Sequence, residues 1–288
     1  MKCAWWSAIA MLVAICSVQS LGADPSPPST RRNLPAVFII GDSTVKNHGA
    51  VIQGWGDPIA QFFDRRRIVV ENDASAGRSS RTFVTEGLWE EVRGKLRKGD
   101  FVLMQFGHND TKAPISANRY SLAGVGEETE TAIDSETKHP IVIHTYGWYM
   151  RKMITEALAS GAEPIVLSPV PRCRWAKGKI VRGEENHGLW AAEVAAASGA
   201  PFIDLNGLIA DRYDPIGQTI IKAKYFPTDN THTNPAGARV NAACVVLGLL
   251  QLKECGLCNY LVDSASSDAA AAATIIPTSR PSAATQPR

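Results

Sequence analysis

The sequence predicts an α/β fold: a doubly wound, parallel sheet of five strands with helices on both faces. Three observations predict it: short apolar runs without polar alternation, stretches of helical length between them, and strict alternation of the two along the chain. Composition agrees. The chain has 288 residues, 45% hydrophobic and 20% charged, values that exclude disordered, collagen-like and coiled-coil chains and suit one packed domain.

The runs are AVFII (36–40), IVVEN (68–72), FVLMQF (101–106), PIVLSP (164–169) and PFIDL (201–205). Their β-branched and aromatic residues run together, as expected of strands buried on both faces and therefore parallel. Helices are expected at 57–65, 86–98, 145–160 and 185–199, and from Pro235 to about Lys253, where proline in the first turn is a start signal. The 110–143 stretch has no strong period and reads as a long loop near the third strand end. Nothing in 207–228 fixes a role.

The ends read differently. Residues 1–23 carry one positive charge, Lys2, then an uncharged apolar run and small residues near the end, the pattern of a signal peptide rather than a membrane span. Residues 24–35 hold four prolines and suit a linker. From 263 onward the chain is rich in Ala, Ser, Thr and Pro, which predicts a disordered tail and leaves 36–262 as the folded domain. The protein is therefore expected to be secreted or periplasmic, with no stable membrane insertion once the signal is removed.

Thirty Lys and Arg face 28 Asp and Glu, a balance that argues against nucleic acid as a partner. Of the cysteines beyond the signal, Cys173, Cys244, Cys255 and Cys258, one or two disulfides are expected in an oxidising compartment, and three full pairings are open. Cys255 and Cys258 form a Cys-x-x-Cys after an apolar helix, without nearby His; a structural disulfide or inert thiols fits better than a redox pair or zinc site. The remaining histidines lack metal-ligand spacing, and no cofactor is expected.

The chemistry lies where strands end. GDST (41–44) places Ser43 just after the first strand; a serine there also caps helices routinely. NDASAGRSSRTF (72–83) follows the second, and Gly77 allows a backbone N–H to approach a ligand. GHND (107–110) follows the third, and Asn109 offers a side-chain amide. DNTHTNP (229–235) precedes the final helix, with Asp229 and His232 three apart, close enough for the carboxylate to orient the imidazole.

These four blocks, in this order, resemble the SGNH or GDSL hydrolase superfamily, with a match running from about Val37 to Gly237. GDSTV, GWGD (54–57), NDASAGRSSRTF and FGHND look most like rhamnogalacturonan acetylesterases. The resemblance implies a three-layer α/β/α, flavodoxin-like sandwich and removal of O-acetyl groups from plant cell-wall polysaccharide, most of all acetylated rhamnogalacturonan. It implies Ser43 as nucleophile, His232 as base, Asp229 as its partner, and an oxyanion hole from Ser43, Gly77 and Asn109. Arg78 and Arg81 are candidates for acidic sugar units and Trp55 for sugar stacking, each with a structural alternative: surface ion pairing for the arginines, core packing for the tryptophan. Partners are then an acetylated poly- or oligosaccharide, with the protein a monomer. Rival readings are a xylan or other sugar O-acetylesterase, a broad short-chain ester hydrolase, and a noncatalytic carbohydrate-binding protein.

Overall fold

The computed structural model describes residues 33–47, 49, 51–112, 118–134, 137–183 and 185–275. The expected signal peptide, the linker up to residue 32 and residues 276–288 lie outside the described residues. In chain order the elements are β1 (Ala36–Gly41), β2 (Val69–Asn72), α1 (Ser80–Thr85), α2 (Leu88–Lys95), β3 (Phe101–Gln105), β4 (Thr129–Ile133), β5 (Pro140–His144), α3 (Tyr146–Ala159), β6 (Glu163–Leu167), β7 (Trp175–Ala176), β8 (Lys179–Ile180), α4 (His187–Ala197), β9 (Phe202–Ile203), α5 (Leu205–Tyr213), α6 (Gln218–Tyr225), α7 (Pro235–Leu249) and α8 (Ala265–Ala273).

The main sheet is parallel throughout, in the order β2-β1-β3-β6-β9. Each of its five strands coincides with one of the predicted apolar runs. The reason is visible in β1: Val37 and Ile39 enter one apolar cluster, while Ala36, Phe38 and Ile40 enter another on the opposite face. A strand covered on both sides has no wet face, so its sequence shows no alternation. One cluster packs against α1–α4, and the other against α5–α8 and a 3-10 turn at Pro58–Phe62. The result is the expected three-layer sandwich.

Chain order reverses at β1, which has β2 on one side and β3 on the other. In doubly wound sheets such a switch point opens a crevice at the strands' carboxyl ends. The blocks bearing Ser43 and Asn109 therefore flank a common opening.

Three expectations need correction. The predicted helix at 57–65 is only a short 3-10 turn, since Phe63 leaves it to bridge Leu261. The 110–143 loop contains an antiparallel hairpin, β4–β5, whose TETAI strand alternates between exposed and half-buried residues. Last, the domain does not end at 262. Ala265, Ala269, Ala273 and Ile275 are buried in the cluster that includes α7. Alanines at i, i+4 and i+8 share one helix face, and their small side chains let that helix approach the core closely.

Two of the four cysteines, Cys255 and Cys258, form a disulfide. Cys173 and Cys244 are buried free thiols, and burial pushes the Cys244 thiol up to about 12.

Candidate active site

Ser43 lies in the turn after β1. That turn is tied down from several sides. The Oδ1 atom of buried Asp42 accepts from the Thr44 N–H (2.8 Å) and hydroxyl (2.7 Å). Gln105, at the end of β3, donates to the Thr44 hydroxyl at 2.7 Å and accepts from the Trp55 indole at 2.8 Å. Trp55 and Gly56 donate their N–H groups to Thr44 O (3.0 Å) and Val45 O (2.8 Å). Trp55 is fully buried, so it braces the serine turn and has no face for a sugar; its expected stacking role is overturned. Gln105 was not singled out from the sequence. Its signal was a polar residue in an otherwise apolar strand, because a buried amide must find partners.

His232 meets this turn from a loop without regular structure that ends where Asn234 caps α7, accepting from the Gly237 N–H at 3.0 Å. The His232 Nε2 lies 2.8 Å from Ser43 Oγ, and its Nδ1 lies 2.8 Å from Asp229 Oδ2. Asp229 Oδ1 accepts from the backbone N–H groups of Thr231 (2.6 Å) and His232 (2.7 Å). Burial pulls the Asp229 carboxyl upward, but the hydrogen bonds from the His232 side chain and these N–H groups outweigh it and hold the group below the usual carboxylate value. An ionised Asp229 accepts from Nδ1–H, which leaves Nε2 as an acceptor for the serine proton.

The other two blocks converge on the same rim. Gly77 has φ +79°, and a Cβ there would come within 2.9 Å of Arg119. Asn109 donates through Nδ2 to Arg78 O at 3.0 Å, which fixes the amide and leaves its second hydrogen for a ligand. Among the described residues, neither the Ser43 N–H nor the Gly77 N–H donates to a protein acceptor. Behind Asn109, buried Asp110 accepts from the Ser80 N–H (3.1 Å), the Ser80 hydroxyl (2.5 Å) and the Ser121 hydroxyl (2.9 Å). Burial nevertheless pushes its carboxyl up to about 6.

The arginines divide. Arg81 is buried, donating through Nε to Tyr120 O at 2.6 Å and also to Asn118 O; it pins the 118–120 segment and is no substrate contact. Arg78 is half-exposed and paired with Glu86 at 2.7 Å. His108 sits 3.2 Å from Asp42 Oδ2 and 2.9 Å from Val170 O, so both ring nitrogens face protein groups. Among the described residues, no group of three His, Cys, Asp or Glu is arranged to hold a metal, and no helix is long and apolar enough to cross a membrane.

With this geometry in place, the matches to known proteins are informative. The sequence profile of the GDSL-like lipase/acylhydrolase family matches residues 39–240. The chain belongs to that family. This GDSL-like hydrolase is a carboxylic ester hydrolase. It is 28% identical to a rhamnogalacturonan acetylesterase of Emericella nidulans over 207 residues, 72% of this chain and 81% of that one. It is 29% identical to rhamnogalacturonan acetylesterase RhgT of Bacillus subtilis, over 75% and 90% of the two chains. The crystal structure of Bacillus subtilis protein YxiM superposes with TM-score 0.62 at 26% identity, over 76% of this hydrolase but only 56% of that longer chain. LAE5, an α/β hydrolase from the Lake Arreo metagenome, shares the fold at TM-score 0.52 and 20% identity, covering 74% and 94%.

Proposed function

We propose that the protein is a secreted serine esterase that removes O-acetyl groups from plant cell-wall polysaccharide, acetylated rhamnogalacturonan foremost, through an acetyl-enzyme. The observation that carries this reading is the hydrogen-bonded chain Ser43–His232–Asp229, with both links at 2.8 Å. The choice of polysaccharide is supported by the two rhamnogalacturonan acetylesterase relatives and by the GWGD and FGHND blocks, not by any sugar contact.

Ser43 Oγ attacks the acetyl carbonyl while Nε2 of His232 takes its proton, since an unassisted hydroxyl is a weak nucleophile near neutral pH. Asp229 keeps the imidazole in its Nδ1–H tautomer and stabilises the imidazolium. The tetrahedral oxyanion is met by the N–H groups of Ser43 and Gly77 and by the Asn109 amide. His232 returns the proton to the departing sugar oxygen as the acyl C–O bond breaks. Water then attacks the acetyl-serine, giving its proton to His232, and acetate leaves as the serine hydroxyl is restored.

The test is acetate release from acetylated rhamnogalacturonan, acetylated xylan and a short-chain aryl acetate, measured side by side. The pectic polymer is expected to have the highest kcat/KM. A preference for xylan, or equal low rates on both polymers beside fast aryl acetate cleavage, would reject the substrate and leave the esterase.

A further inference from the structure

The loop that carries Asp229 and His232 has no regular structure, and the Asp229 side chain is 45% exposed. Little packs on it from outside, yet its imidazole must stay within hydrogen-bond reach of Ser43. The segment just after β6 reaches that loop. The Cys173 N–H donates to Asn230 O at 2.6 Å. The Arg172 guanidinium donates through one terminal nitrogen to the Thr231 hydroxyl at 2.5 Å and through the other to His108 O at 3.0 Å. The same segment is anchored again at Val170, whose carbonyl lies 2.9 Å from His108 Nε2.

We infer that Arg172 is a positioning residue, a strut that holds the Asp229–His232 loop in register with the strand end bearing Asn109. This rests on the reading of Ser43, His232 and Asp229 as the catalytic set. The two acceptors belong to neighbours of functional residues: Thr231 precedes His232, and His108 precedes Asn109. One planar fork with two terminal nitrogens spans both acceptors, whereas an ammonium group on a flexible stem concentrates its charge at one point. Displacement of a reacting group by about 1 Å can cost on the order of 100-fold in rate. A strut between base and oxyanion donor therefore acts on turnover.

Arg172 also lines a cavity of about 390 Å³ beside the site, with Val170, Val181, His187 and Phe202 among its walls. Contact with substrate there is the competing role, and the two roles separate in the kinetics. Hydrolysis of an aryl acetate would be measured for Arg172→Ala, Arg172→Lys, Thr231→Val, the double variant Arg172→Ala with Thr231→Val, and Ser43→Ala as reference. Arg172→Ala should lose roughly 10- to 100-fold in kcat with KM within about two-fold of wild type. The lysine variant should recover part of that loss. Thr231→Val should lose roughly five-fold, as expected for one hydrogen bond, and should add nothing in the Arg172→Ala background. If Arg172→Ala does not fold, Thr231→Val alone carries the test, and an unchanged kcat there overturns the inference. A raised KM with wild-type kcat in Arg172→Ala would make the residue a substrate contact instead. Full kcat in Arg172→Ala beside an inactive Ser43→Ala would overturn the strut and spare the catalytic set; an active Ser43→Ala would overturn both.

Discussion

The two halves of the site are built on different terms. On the strand side, the Ser43 turn is fastened through buried Asp42, Thr44, Gln105 and Trp55, and Asn109 is backed by buried Asp110, Ser80 and Ser121. On the loop side, His232 and Asp229 are 25% and 45% exposed and are placed by a few hydrogen bonds. The contrast fits the proposed division of labour between oxyanion donors and base. Oxyanion donors act by being fixed before charge develops, whereas the base must hand a proton first one way and then the other. Damage to the strand side should thus lower stability and turnover together, and damage to the loop side should lower turnover alone.

The largest test of that contrast is Asp229→Asn. Loss of the carboxylate proposed to orient His232 should reduce kcat on the order of 1,000-fold, somewhat less than the roughly 10,000-fold seen when such a carboxylate is buried, with a thermal midpoint within a degree or two of wild type. Steady-state kinetics with calorimetry on the same sample decides it; a large fall in the midpoint would erase the distinction between the halves. Asn109→Ala comes next: its proposed role as an oxyanion donor predicts a kcat loss on the order of 100-fold or more. Trp55→Phe should cost about 1–3 kcal/mol in chemical unfolding, because Gln105 is left with an unmet buried acceptor. A neutral result would show that the serine turn does not depend on this brace.

The smallest effect concerns Asp110. Its carboxyl, ordinarily near 3.8 and raised to about 6, binds a proton in the folded protein that the unfolded chain releases. Between about pH 4 and 6 its contribution to stability therefore declines as pH rises. The asparagine variant lacks that decline. The midpoint of Asp110→Asn minus that of wild type should grow more positive from pH 4 to pH 6, and a constant difference would count against a buried, uptitrated carboxyl.

Much of this was readable in the sequence, for physical reasons that vary by element. The five parallel strands announce themselves because burial on both faces suppresses alternation. The blocks around Ser43, Gly77, Asn109 and His232 stand out because strand ends and a capped helix start fix where they lie. The hairpin at 129–144 escaped because Thr and Glu dominate β4, and a polar strand looks like a loop. For Trp55 and Arg81 the sequence leaves substrate contact and a structural role both open, because a residue name does not report which way its side chain faces; each is buried against partners distant in sequence, Gln105 for one and the 118–120 backbone for the other. The bridge through Arg172 was equally hidden, since its acceptors lie 59 and 64 residues away.

The alanine-rich helix after residue 262 carries a practical warning. Val262 donates to Phe62 O at 3.0 Å, and the alanines beyond it share an apolar cluster with Ile59 and Phe62. Trimming a recombinant version at the point where composition turns monotonous would strip the cover from that patch, and the shortened product should be stickier in solution and quicker to yield to protease.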